Sequence, residues 1–250
     1  MPGTFFKSLA SGSSGNCSVI TDGEFMLVID FGISLKRFTA FLNDEGLEPD
    51  SIALMISHEH SDHAGNVKLF RKKISGEIYA RRKTLEACGV SGYAMQENMA
   101  FGSFSVSSVG VSHDAVDPVG FVIERSGRKI SVVTDLGTVS EGLIDAMSGS
   151  SIIGIEANHD LEMLMNGRYP EHLKRRISGP KGHLSNDQCA SLVASVYSDD
   201  ARVILMHLSK ENNRPEIARS TVISAMVSAG ISSPDVMVAT QEAGSDKIFL

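Results

Sequence analysis

The sequence predicts an α/β protein built from two β-sheets packed together, with helices on the outside. Three observations carry that expectation. The first half is rich in β-hairpin signals, and the second half alternates apolar runs of strand length with helix-period segments. The apolar runs also end repeatedly in His, Asp or Glu. No Pro/Gly-rich linker, composition break or internal repeat divides the chain, so residues 1–250 are expected to form one domain.

Residues 4–9 read as a short strand, and Ser11-Gly-Ser-Ser-Gly-Asn16 is a dense turn signal. Residues 17–21 and 24–30 are β-type runs around Asp22-Gly23, a composition that favours a tight hairpin. Residues 33–46 place Ile33, Leu35, Phe38, Phe41 and Leu42 on one helical face and stop at Gly46. Ser51-Ile-Ala-Leu-Met-Ile-Ser57 is an apolar run between turn residues, a buried strand. A helix follows over 64–74, a short strand over 77–80, a helical turn over 83–88 and a weakly patterned, mobile loop over 90–103. Residues 104–109 alternate like a half-buried strand, and 120–124 with 129–135 form a further hairpin. Helices are then expected at 138–147, 161–166, 170–177, 186–197 and 215–229, with Ser185 capping the fourth. Strands are expected at 151–156, 201–206, 235–240 and 246–250.

Composition narrows the function classes. Hydrophobic residues make up 42% and the mean hydropathy is +0.01, as in soluble globular proteins. The N-terminal stretch lacks a basic-then-apolar signal pattern and no apolar run approaches membrane-spanning length. The expected location is the cytoplasm, with no membrane partner. Cys17, Cys88 and Cys189 are scattered without a CxxC pair, which fits a reducing compartment and core packing. The net charge of −7 argues mildly against a nucleic-acid partner. Yet basic residues cluster at Lys68, Arg71, Lys72, Lys73, Arg81, Arg82 and Lys83, and at Lys174, Arg175, Arg176 and Lys181. These read either as a basic rim for phosphates or as ordinary solvated helix faces.

The most informative stretch is Ser57-His-Glu-His-Ser-Asp-His-Ala-Gly-Asn66. It follows a buried strand and precedes a helix, so a rigid scaffold presents it as a loop. In an extended segment side chains at i and i+2 point the same way, so His58 and His60 can share one metal. Asp62 and His63 lie past the bend and can reach a second. Imidazoles with a carboxylate suit Zn or Mn, with Fe also compatible.

Other strand runs end in similar residues: Asp30, His113, Asp135, Glu156 and His207. Such repetition suggests strand ends converging on one rim. Asp30 reads either as a turn aspartate or as a partner for a ligand histidine. At this point the sequence resembles the metallo-β-lactamase fold, whose HxHxDH signature matches His58, His60, Asp62 and His63. His113, Asp135 and His207 follow in the order of that fold's remaining ligands. The resemblance implies a four-layer αβ/βα sandwich with a dinuclear site between the sheets. It implies that His58, His60 and His113 hold one divalent ion, that Asp62, His63 and His207 hold the other, and that Asp135 bridges them.

Within that superfamily, Leu9-Ala-Ser-Gly-Ser-Ser-Gly-Asn-Cys17, Glu156-Ala-Asn-His-Asp160, Gly182-His-Leu-Ser-Asn186 and His207-Leu-Ser-Lys-Glu-Asn-Asn213 resemble the bacterial YycJ/WalJ group. That group is described as exonucleases. The resemblance implies a metal-dependent phosphodiesterase that hydrolyses DNA or RNA through a metal-bridging hydroxide. Asp62 or Asp135 would then orient the hydroxide and take its proton. Gly182-His183-Leu-Ser also resembles a stretch of tRNA 3′-processing endonucleases, which would make His183 the residue at the scissile phosphate or leaving group. Otherwise His183 is a helix-capping or surface histidine. The alternative activity is hydrolysis of a small thioester, lactone, β-lactam or cyclic phosphodiester. A binding module with a closed structural metal ranks behind both. Neither DNA against RNA nor the oligomeric state follows from the sequence.

Overall fold

Alternation along the strands sorts their side chains into three cores, and this sets the layering. A computed structural model describes residues 3–250. One sheet has the order β14 (Ile248–Phe249), β1 (Phe5–Ala10), β2 (Cys17–Thr21), β3 (Phe25–Ile29), β4 (Ser51–Ile56), β5 (Glu77–Ala80) and β6 (Tyr93–Ala94). The other has the order β13 (Asp235–Val238), β12 (Arg202–Met206), β11 (Ile152–Glu156), β10 (Arg128–Val133), β9 (Val119–Arg125), β8 (Phe104–Gly110) and β7 (Asn98–Phe101). Along β3 and β4, Leu27, Ile29, Ala53 and Met55 face the second sheet, where they meet Phe121, Ile123, Ile130 and Ile204. Their neighbours Val28, Leu54 and Ile56 face outward. That side is covered by α1 (Leu35–Glu45), α2 (Ser61–Ala64), α3 (Val67–Lys73) and α4 (Arg82–Cys88).

The second sheet alternates in the same way. Ile153, Ile155, Val203 and Leu205 pack beneath α5 (Glu141–Met147), α8 (Asn186–Val196) and α9 (Pro215–Ser228). The result is the expected α/β sandwich of four layers. Each fully buried Phe or Ile contributes roughly 1.5–3 kcal/mol, so these three cores are the main source of stability. Two short helices, α6 (Leu161–Asn166) and α7 (Glu171–Ile177), stand apart from the cores. The Lys174 ammonium ties them together by donating to the Met165 carbonyl at 2.6 Å. Among the described residues no helix is long and apolar enough to cross a membrane.

Three local expectations are corrected. Residues 90–103 are not a plain loop: they hold β6 and β7, one edge strand for each sheet. Edge strands are short and half exposed, so they lack the apolar alternation that marks central ones. The helix expected from residue 64 begins earlier, as the four-residue α2, and resumes as α3. A single turn made of Ser, Asp, His and Ala carries no apolar periodicity. The helix expected at 138 starts at Glu141, where the Ser140 side chain caps it.

Candidate metal centre

The strand directions explain why distant residues meet. β3 and β4 are parallel, as are β10, β11 and β12. β8 and β10 are both antiparallel to β9, so β8 shares their direction. The C-terminal ends of all six therefore lie at one rim. There the chain leaves β3 at Asp30, β4 at Ser57-His58, β8 toward His113, β10 toward Asp135, β11 at Glu156 and β12 at His207. Asp30, Asp135 and His207 adopt φ of +61°, +58° and +54°. The left-handed region costs a non-glycine residue on the order of 1–3 kcal/mol and clusters at functional sites.

Four buried histidines are held alike, each by Nδ1, with Nε2 turned inward. His207 Nδ1 donates to Glu156 Oε1 at 2.9 Å, and His113 Nδ1 to the Gly182 carbonyl at 3.1 Å. His63 Nδ1 donates to Asp30 Oδ2 at 2.7 Å. His58 Nδ1 lies 2.9 Å from Ser57 Oγ, whose hydroxyl donates to the same Asp30 oxygen at 2.9 Å. Asp30 therefore orients two imidazoles at once and also accepts the Ser57 amide at 2.8 Å. A partner that fixes the far ring nitrogen is the usual support of a metal-binding histidine.

The inward atoms form two triads. His58, His60 and His113 offer nitrogens all within 4.8 Å of one another, and so do ligand atoms of Asp62, His63 and His207. Asp135 stands between them, joining His58 and His63 in a third such group. The donor set suits a divalent cation. His113 Nε2 and His60 Nδ1 face each other at 3.3 Å. His58 Nε2 and Asp135 Oδ2 are buried and lack hydrogen-bond partners. Asp135 Oδ2 lies 3.0 Å from His63 Nε2 without the geometry of a hydrogen bond. Buried orphans pointing at a shared space are the arrangement that a cation resolves.

Burial pushes His58 well below the ordinary imidazole value, with His63 adding to the effect, and burial also lowers His113. Burial works the same way on His63 and His207, but neighbouring acids overcome it. Asp135 and Asp30 hold His63 well above its ordinary value, and Asp135, Asp62 and Glu156 raise His207 to about 10. Burial opposes ionisation of Asp62 and Asp135, yet the imidazoles around them hold both below the ordinary carboxylate range.

His183 sits at the edge of this cluster. Its Nδ1 donates to Glu156 Oε1 at 2.8 Å, the oxygen that also accepts His207. The other Glu156 oxygen accepts the Leu136 and Leu184 amides. Burial would raise the Glu156 pKa, but the His183 and His207 imidazoles hold it down to about 2. Burial disfavours the charged His183 ring, but Glu156 raises it above its ordinary value. The capping role belongs to Ser185, which forms a capping box with Gln188. Of the basic clusters, Arg176 pairs with Asp114 at the rim, whereas Lys174 is buried.

The family model of the Beta-lactamase superfamily domain matches residues 45–208. The chain belongs to the metallo-β-lactamase superfamily. Exodeoxyribonuclease YycJ of Bacillus anthracis is 34% identical over 240 residues, covering 91% of this chain and 91% of that protein. Exodeoxyribonuclease WalJ of Streptococcus pneumoniae serotype 2 is 34% identical over 240 residues, covering 90% and 89%. The metallo-β-lactamase fold protein YhfI from Bacillus subtilis matches with a TM-score of 0.74 at 15% identity, over 99% of each chain. As a member of this superfamily with a His/Asp cluster at its rim, the protein is a metal-dependent hydrolase that uses divalent ions.

Every site residue singled out from the superfamily signature, and His183, lies at this rim. Of the braces, the reading of residues offered Asp30 as a partner for a ligand histidine and missed the others. Glu156 stood out as a strand end and, like Gly182, within a stretch that carries the family resemblance, but nothing in the sequence marked Glu156, Ser57 or the Gly182 carbonyl as a brace. Asn16, from the turn-rich N-terminal loop, was also missed: its Nδ2 approaches His63 Nε2 at 2.9 Å. The sequence marked that loop as a dense turn and as part of the family resemblance, but not Asn16 as a neighbour of His63.

Proposed function

We propose that the protein is an exonuclease that hydrolyses phosphodiester bonds at DNA ends. Two divalent ions, Zn or Mn, would be held by His58, His60 and His113 and by Asp62, His63 and His207, with Asp135 between. Such ions supply Lewis acidity, which lowers the pKa of water and neutralises phosphate charge. They also offset much of the chain's negative charge where the substrate binds.

The carrying observation is His183, braced through Nδ1 by a buried carboxylate and partly exposed at the rim. Glu156 stabilises its charged form, so Nε2 keeps a proton to give to the departing sugar oxygen. A phosphodiester needs that proton because an alkoxide is a poor leaving group. A thioester needs it far less, since a thiolate has a pKa of about 8.5. Asp62 or Asp135 takes the proton of the attacking water, and both stay ionised near neutral pH. The names of the YycJ and WalJ relatives support DNA as the substrate. Three cysteines outside any disulfide support a reducing compartment, the cytoplasm.

The test is a panel of end-labelled single- and double-stranded DNA and RNA with Mn or Zn, alongside thioester and lactone substrates. Release of terminal nucleotides from DNA is expected. His183→Ala should lower kcat on DNA by about 10²-fold or more with bound metal unchanged, the range for loss of a general acid. Turnover confined to thioesters would sink the reading, and a full DNA rate in His183→Ala would remove His183 from it.

A further inference from the structure

A cavity of about 200 Å³ opens directly off the candidate metal centre, with His113 and His183 as the wall they share. Its remaining walls have a different chemistry. Tyr169 comes from the link between α6 and α7, and Leu173 and Ile177 lie one turn apart on α7. All three are partly buried. Gly182, Asp114 and Arg176 complete the lining, with Arg176 Nε and one terminal nitrogen each 2.7 Å from Asp114 Oδ2, so that the two charges offset each other in the wall. That double contact fixes the plane of the guanidinium and leaves its other N–H groups free to donate.

An aromatic ring, two branched aliphatic side chains and an anchored guanidinium suit a flat heteroaromatic ring with polar edge atoms. The volume is below the roughly 300–1,000 Å³ of sites for drug-sized ligands, which limits the occupant to about one ring system. We propose that this cavity receives the base of the terminal nucleotide, stacked on Tyr169 against Leu173 and Ile177, with Arg176 donating to the base edge. The proposal rests on the nuclease reading and deepens it. A single-base cavity beside the reacting phosphate favours attack at the end of a strand, where one base can leave its stack at least cost. Stacking tolerates any base because each has a π-face, so little sequence preference is expected.

The experiment compares the metal-loaded protein with its Tyr169→Ala and Tyr169→Phe variants. The substrates are DNA with intact termini and the same DNA whose terminal nucleotide, at either end, lacks its base. The unmodified protein should cleave abasic ends with kcat/KM lower by about tenfold, within the range measured for base–aromatic contacts. Tyr169→Ala should lose about the same factor on intact ends, mostly in KM, and nothing on abasic ends. Tyr169→Phe should restore the intact-end value. Equal cleavage of intact and abasic ends by the unmodified protein, or an unchanged KM in Tyr169→Ala, would overturn the proposal while leaving the nuclease reading in place. Failure of the unmodified protein to cleave any DNA end would remove both.

Discussion

A histidine binds a metal only through a ring nitrogen that has lost its proton, and the buried rings of this centre differ in that respect. His58 and His113 are neutral near pH 7 because burial disfavours their charge. In the metal-free protein His63 and His207 carry protons that balance Asp30, Asp62, Asp135 and Glu156. A divalent ion entering beside Asp62 must displace those protons, whereas one entering at His58, His60 and His113 displaces fewer. Metal affinity at the Asp62 triad is therefore expected to rise steeply with pH through the neutral range, with protons released on binding. The His58 triad should load with a shallower pH dependence. Isothermal titration of metal-free protein in buffers of different ionisation heat measures both, and equal proton release at the two steps would contradict this. Metal-free stability should move the other way. With His207 raised from 6.5 to about 10, its contribution is complete below about 6.5 and is lost as pH rises through 10. At this scale the candidate ligands were legible because their chemistry is packed into one HxHxDH run and three strand ends. Glu156, Ser57 and the Gly182 carbonyl were not, because what a brace touches is set by residues far away in the chain.

Strand-end geometry matters as much as residue identity. The left-handed turns at Asp30, Asp135 and His207 end their strands abruptly at the rim. The short α2 is docked just as tightly. The Asn16 amide donates to the Asp62 carbonyl at 2.7 Å and the Phe31 amide to the His63 carbonyl at 2.6 Å. A Cβ on Gly32 would lie 1.8 Å from that Asp62 carbonyl oxygen. Phe31 itself is pinned edge-on to Phe38 and Phe70, with ring centroids 5.3 and 5.0 Å away. The loop therefore cannot yield, and α2 must. Gly32→Ala should displace Asp62 and His63, lower bound metal from about two ions to about one, and cut the DNA rate by about 10²-fold, as a 1 Å misplacement can. Elemental analysis with steady-state rates tests this, and full metal content at full rate would contradict it. The long apolar strands and the helices with caps were readable from periodicity. The four-residue α2 and the edge strands β6 and β7 were not, because their residues are polar and their pairing is set by the neighbouring strand.

Over the whole molecule, each sheet changes from antiparallel to parallel pairing partway across, at β3 and β4 in one and at β10 and β11 in the other. The parallel halves bring their C-terminal ends to one rim, and the antiparallel β8 and β9 carry His113 to the same place. The two-sheet architecture followed from hairpins in the first half and βα units in the second. The pairing of far ends, such as β1 with β14, did not, since no local pattern encodes it. The central claim is that this rim, once loaded with metal, hydrolyses DNA at its ends. The most direct measurement is nucleotide release from end-labelled DNA by metal-free protein titrated with Mn or Zn. The rate should be near zero without metal and level off at about two ions per chain, as a two-metal site requires. A full rate in excess chelator, or no release at any metal loading, would contradict the account.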